Sequence, residues 1–148
     1  MNFYRFCQRT AAVSLALWVA ACSTTDMENV VRSKWSSIGT TSDGNIKAYI
    51  DKNSISKNGN LVTFRDRKIV VDQDKERYVN TPRYKTAIGT WEMHCANKTY
   101  RLTALQLLDE RGTVVANENY TAVDLRPMSV MNGSVTEKQF EQVCGQSL

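Results

Sequence analysis

Cysteines are the side chains with the most chemical options in this chain, and their placement narrows those options. There are four, at positions 7, 22, 95 and 144. No two form a CxxC pair, and the single histidine, His94, adjoins Cys95, so the ligand spacing of a structural zinc site is missing and no metal site is expected. Nucleophilic hydrolysis needs a base beside its nucleophile. His94 is the only imidazole, and it falls on the outward side of a predicted strand. The sequence has no Gly-rich phosphate loop, no HExxH and no GxSxG. Asp109 and Glu110 are adjacent, so on a strand they would face opposite ways, and in a turn both are solvated. The expectation is a protein that is not an enzyme and carries no catalytic residue. The remaining chemistry is charge: Arg65, Arg67, Lys68, Lys75, Arg77, Arg83 and Lys85, interleaved with Asp66, Asp72, Asp74 and Glu76. Such a run is either a solvated face of mixed sign or a patch for acidic proteins or sulfated glycans, steered by charge and weakened by salt.

Cys22 has a more particular setting. Arg5 and Arg9 precede an uncharged apolar run, 11–22, that ends in small residues. This is the layout of a secretory signal, and the run is far short of the roughly 20 residues that span a bilayer. Val19-Ala20-Ala21-Cys22 looks like a bacterial lipobox, in which the thiol takes a diacylglyceryl group and the chain is cut before the cysteine. The other reading is a soluble secreted protein cut nearby, with Cys22 incidental. The lipobox predicts a signal peptide over 1–21 and a lipidated flexible tether over 22–33, with the covalent lipid on Cys22 standing where a cofactor would. Among lipoproteins as a class, Ser at the position after the cysteine permits transfer to the outer membrane, and Ser23 stands there. The expected location is therefore the outer membrane, with its lipid as partner through the anchor. The lipobox does not specify which side of that membrane the domain faces.

Cleavage lowers the formal charge of +4 by the two charges of Arg5 and Arg9. So near-neutral a domain speaks against a nucleic-acid partner. Export also leaves Cys95 and Cys144 as the only cysteines of the mature domain, so a single intramolecular pairing exists in an oxidising compartment. The alternative is two buried free thiols. A bond would close a loop of about fifty residues, worth on the order of 3–4.5 kcal/mol in the chain-entropy model.

Those cysteines must be positioned by the domain at 34–148. Trp35 to Gly39 can open it as a strand, and Asp43-Gly44 supplies a turn. Ile46, Ala48 and Ile50 alternate with Lys47 and Tyr49, which predicts a half-buried strand. A second turn falls at Lys57–Asn60. Leu61–Val71 is the longest strand candidate, but its apolar residues change parity, which predicts a bulge near Asp66. Pro82 makes Tyr78–Lys85 an edge or a loop. Trp91, Met93 and Cys95 share one face of the next strand. Tyr100, Leu102 and Ala104 oppose Leu105 and Leu107 on the strand after it, as expected of a central strand apolar on both sides. Asp109–Gly112 is a hairpin turn. Ser134-Val-Thr-Glu137 is a capping box that opens a C-terminal helix, with Phe140, Val143 and Cys144 on one face. The fold class is α+β: an antiparallel sheet of about six strands, one helix packed on it, and a disulfide tying the two. The edges of an antiparallel sheet leave a homodimer open.

Tyr49-Ile-Asp-Lys-Asn-Ser-Ile55, Pro82-Arg-Tyr-Lys85, His94-Cys-Ala-Asn-Lys-Thr-Tyr100 and Gln142-Val-Cys144 occur in this order in the chain. In order and spacing the arrangement resembles the surface-adhesin protein E family of bacterial lipoproteins, over about residues 35–145. The resemblance implies an antiparallel sheet with the terminal helix held on its concave face by Cys95–Cys144. It also implies attachment to host matrix or epithelial components. Arg83, Tyr84 and Lys85 lie in both the charged run and a stretch shared with the family, which makes them the candidate ligand-binding residues. A periplasm-facing lipoprotein with a structural or assembly role, and no host ligand, is the other reading.

Overall fold

The computed structural model describes residues 32–148, so the predicted signal peptide 1–21, Cys22 and nearly all of the 22–33 tether lie outside the described residues. Eight strands form one antiparallel sheet: β1 (Trp35–Thr40), β2 (Ile46–Asp51), β3 (Ser56–Asn58), β4 (Leu61–Val70), β5 (Thr86–His94), β6 (Thr99–Leu108), β7 (Val114–Asn119) and β8 (Met128–Ser129). A helix, α1 (Val135–Cys144), closes the chain. Six strands run in the order β1-β2-β4-β5-β6-β7, with the short β3 paired to β4 and β8 to β6. The α+β class and the C-terminal helix agree with the sequence reading, and the two short strands add to the six expected.

The turns form where short polar side chains can bond the backbone. Asp43 accepts the Asn45 N–H at 3.0 Å, and Asp109 accepts those of Arg111 and Thr113 at 2.9 and 2.8 Å. Gly112 adopts the positive φ, +80°, that this hairpin requires.

Two expectations about strand faces are corrected. β4 carries no bulge: its pairing runs unbroken from Leu61↔His94 to Ile69↔Thr86. Asp66 therefore stays in phase with Val62, Phe64 and Val70 and is buried with them. A carboxylate is tolerated there because donors reach it. The Gly89 N–H lies at 3.2 Å, Gln139 Nε2 from α1 at 2.8 Å and Lys68 Nζ at 3.1 Å. The bulge is in β6, where Trp91↔Leu102 is followed by Thr90↔Ala104, leaving Thr103 as the extra residue. The Thr103 hydroxyl donates to the Thr90 carbonyl at 3.0 Å. This shift brings Tyr100, Leu102, Leu105 and Leu107 onto one face. β6 is thus apolar on one side, and only Leu107 in it is fully buried.

Ser134 caps α1 by accepting the Glu137 N–H at 3.1 Å. Glu137 reaches back to the Gly133 N–H at 2.7 Å, one residue before the cap. Gly145 ends the helix in the left-handed region at φ +69°. Phe140 and Val143, both fully buried, pack on Ile38, Ala48, Ile50, Val62, Phe64 and Met93. A disulfide joins Cys95 to Cys144. The helix thus covers one face of the sheet at its β1–β4 end, and no second layer covers the opposite face among the described residues.

Candidate functional site

Arg83, Tyr84 and Lys85 lie in the loop between β4 and β5. The Arg83 guanidinium donates to Asp74 at 2.8 Å, and that carboxylate holds Arg83 above the usual guanidinium range. Tyr84 is half-buried edge-on to Tyr78, with ring centres 5.2 Å apart. Its carbonyl accepts from the Tyr78 hydroxyl at 2.9 Å and Gln73 Nε2 at 2.8 Å. Burial raises the Tyr84 hydroxyl above its ordinary value. Burial does the same at Tyr78, against the opposing charge of Arg83. Lys85 Nζ donates to the Val71 carbonyl at 3.0 Å. Arg83 and Tyr84 thus contact other residues of the same loop, and Lys85 ties that loop to the residue just after β4. Arg83 also lines an open cleft of about 550 Å³ with Gln73, Asp109, Glu110 and Arg111, a lining of mixed charge.

The longer basic run is divided by the fold. Lys68 turns toward the helix side, paired with Asp66 and 4.9 Å from the Trp91 ring centre. Lys75 pairs with Asp72 at 3.7 Å. Arg65 and Arg67 point to the uncovered face.

That face holds the group that sequence reasoning missed. Registers β1–β2 and β2–β4 align Trp35 with Asp51, and Tyr49 with both Ser37 and Arg67. Outward parity on three neighbouring strands then gathers Trp35, Tyr49, Arg65 and Arg67. Arg67 Cζ sits 4.7 Å from the Trp35 ring centre and 4.8 Å from that of Tyr49, and Arg65 Cζ lies 5.8 Å from Trp35. Beneath them Asp51 is fully buried. It accepts from the Lys34 N–H at 2.8 Å, the Asn53 N–H at 3.2 Å and Arg65 Nη2 at 2.6 Å. Burial by itself would raise the Asp51 carboxyl, but the Arg65 guanidinium and the two backbone donors together bring it below the usual carboxylate range. The signal was the alternation of Trp35, Tyr49, Arg65 and Arg67, legible only once the pairing of β1, β2 and β4 is known.

His94 Nδ1 accepts the Asn97 N–H at 3.3 Å. No group of three or more His, Cys, Asp or Glu side chains is placed to hold a metal ion among the described residues.

A family profile described as Surface-adhesin protein E matches residues 35–145. The chain belongs to the surface-adhesin protein E family. The match takes in every strand and the helix, with Cys95 and Cys144 inside it. Among solved structures, crystal form II of Haemophilus influenzae protein E matches at a TM-score of 0.52 and 15% identity, covering 78% of this chain and 91% of that one. A second Haemophilus influenzae protein E structure matches at 0.48 and 17% identity, covering 78% and 88%. At such identity the first of these shows a shared fold. No match is found among curated protein sequences. As a member of this family the chain falls in the class of surface adhesins.

Proposed function

We propose that this protein is a lipid-anchored adhesin of a bacterial outer membrane, displayed on the cell surface, which holds host matrix or epithelial components by non-covalent contact and catalyses nothing. The observation that carries the reading is the family match across the whole of the folded domain. The geometry supports it: the helix and the Cys95–Cys144 bond serve one face of the sheet and leave the other open with two arginines on it. The lipid on Cys22 supplies the anchor and the segment 22–33 the reach, while Arg83, Tyr84 and Lys85 stay within the proposed contact area as a secondary patch.

The test is expression of the full chain in a non-adherent Gram-negative host, with cells counted on a decellularised epithelial matrix. The expected result is a gain in retained cells, removal of the domain when intact cells are treated with protease, and loss of both in Cys22→Ala. No gain in retention, although protease reaches the domain, would overturn the adhesin reading. Protection from protease would place the domain in the periplasm and favour an envelope-assembly role with no host ligand.

A further inference from the structure

We infer that Arg67, held between Trp35 and Tyr49, is the anion-recognition centre of the uncovered sheet face, and that its ligand is the sulfate ester of a linear sulfated glycan. The biological setting rests on the adhesin reading, whereas the chemistry rests on the following contacts.

A guanidinium has five N–H donors and no acceptor. Arg67 Nε is buried and has no hydrogen-bond partner, and no carboxylate pairs with Arg67 among the described residues. The acidic groups on nearby strands are engaged elsewhere: Asp51 with Arg65, Asp66 with Lys68, and Glu92 with Arg101. The two rings stabilise the cation through their faces without using its N–H groups. They also hold the planar fork in place before any ligand arrives, which lowers the ordering cost of binding. The result is a fixed charge without a counterion; Nε itself is enclosed, and an oxyanion that accepts from the outer Nη groups, which make no hydrogen bond among the described residues, supplies one.

The neighbours extend the site along the face. Lys47, on the same outward parity of β2, is exposed and forms no ion pair among the described residues, and exposed Ser37 on β1 offers a hydroxyl opposite Tyr49. These groups lie on the open surface of a sheet, a shape that suits an extended polyanion. An acidic protein would need apolar area to desolvate at the centre of its contact. Here the arginines cover the aromatic faces, and none of the large exposed apolar side chains belongs to the group.

The experiment is surface plasmon resonance with the full chain, extracted from membranes in non-ionic detergent. One surface carries heparin, and the other carries heparosan, which keeps the glycan carboxylates and lacks sulfate. The expected result is heparin binding that falls as salt rises, and at least tenfold weaker binding to heparosan. Arg67→Gln should weaken heparin binding roughly tenfold or more, the scale of a lost charge-assisted hydrogen bond. Lys57→Gln should stay within about twofold, because that exposed lysine of β3 pairs with inward-facing Val62 and so lies on the opposite side of the sheet. Lys47→Glu, at an exposed position on which the core does not depend, is the second variant and should weaken binding at least about fivefold. Unchanged binding in Arg67→Gln and Lys47→Glu, or equal binding to both glycans, would overturn the assignment. If the wild-type chain ignores heparin while cells carrying it still adhere to the epithelial matrix, the glycan site falls and the adhesin reading stands. Heparin binding as expected, with no cell adherence, does the reverse.

Discussion

Replacing Cys95 and Cys144 together by serine should cost about 4 kcal/mol and leave the helix in place. The bond joins residues 49 apart, and closing a loop of that length in the unfolded chain is worth about 4 kcal/mol in the chain-entropy model. A domain of this size unfolds with an entropy of roughly 0.25 kcal/mol/K near its midpoint, so Tm should fall by about 15 °C. The helix itself has other holds. Phe140 and Val143 are fully buried, each contributing about 1.5–3 kcal/mol, and Gln139 donates to buried Asp66 at 2.8 Å. A ten-residue helix with those contacts stays docked at 25 °C even though it would not persist alone in water. The assay is circular dichroism on the double variant, helical signal at 25 °C and then a thermal melt, beside a thiol titration of denatured, unreduced wild-type protein. A fall in Tm under about 5 °C would show that loop closure is not a main restraint. Loss of the helical signal at 25 °C with the sheet signal intact would show that the apolar contacts do not hold the helix.

Three further outcomes follow from single side chains. Gly89→Ala places a Cβ 2.5 Å from Trp91 Nε1 and 2.7 Å from Asp66 Oδ1, so both packed side chains must move; urea denaturation should show a loss of about 1–3 kcal/mol. Phe140→Ala empties the centre of the helix–sheet contact and should cost about 3–5 kcal/mol in the same measurement. Asp51 has a folded pKa below its unfolded value, so the unfolded chain takes up that proton first as pH falls. Its stabilisation is complete above the unfolded value of about 3.9 and is lost as pH drops through the folded one. Unfolding free energies of wild type and Asp51→Asn from urea titration should therefore run parallel above about pH 5, separated by about 2 kcal/mol, and converge in acid. A constant gap down to pH 2 would refute the assignment.

Much of the fold was legible because local chemistry and periodicity agreed. Ile46, Ala48 and Ile50 marked the inner face of β2, and Asp43-Gly44 and Asp109–Gly112 marked their turns. Ser134 and Glu137 marked the start of α1. The phase of β4 was misread because a strand pattern scores Asp66 as outward, and its inward position depends on Gln139, far along the sequence, and on the side-chain-free backbone of Gly89. β6 was misread for the complementary reason: a bulge at Thr103 leaves no composition signal, and two apolar parities look alike whether the strand is buried twice or shifted once. The charged run between 65 and 85 was visible as residues, but the division of Arg65 and Arg67 from Lys68, and of both from Arg83, is set by strand faces and a loop.

The core and the arginine-bearing face are consequences of one register. Side chains alternate with a period of two, so a slip of one residue in β4 would exchange its faces. Arg65 and Arg67 would then enter the layer that now holds Phe64 beneath Phe140, and Val62 and Phe64 would enter water. Burying guanidinium groups without partners costs several kcal/mol each, and exposing Phe64 and Val62 forfeits about 1.5–3 kcal/mol apiece. Asp66 adds to the preference, because its donors on β5 and α1, the Gly89 N–H and Gln139 Nε2, reach it only in the observed phase. The helix and its disulfide thus select the register from one side of the sheet, and that choice alone places Arg67 against Tyr49 and Trp35 on the other. A substitution that loosens the core at Phe64 should therefore reach the opposite face through the position of Arg67, with no ligand contact of its own.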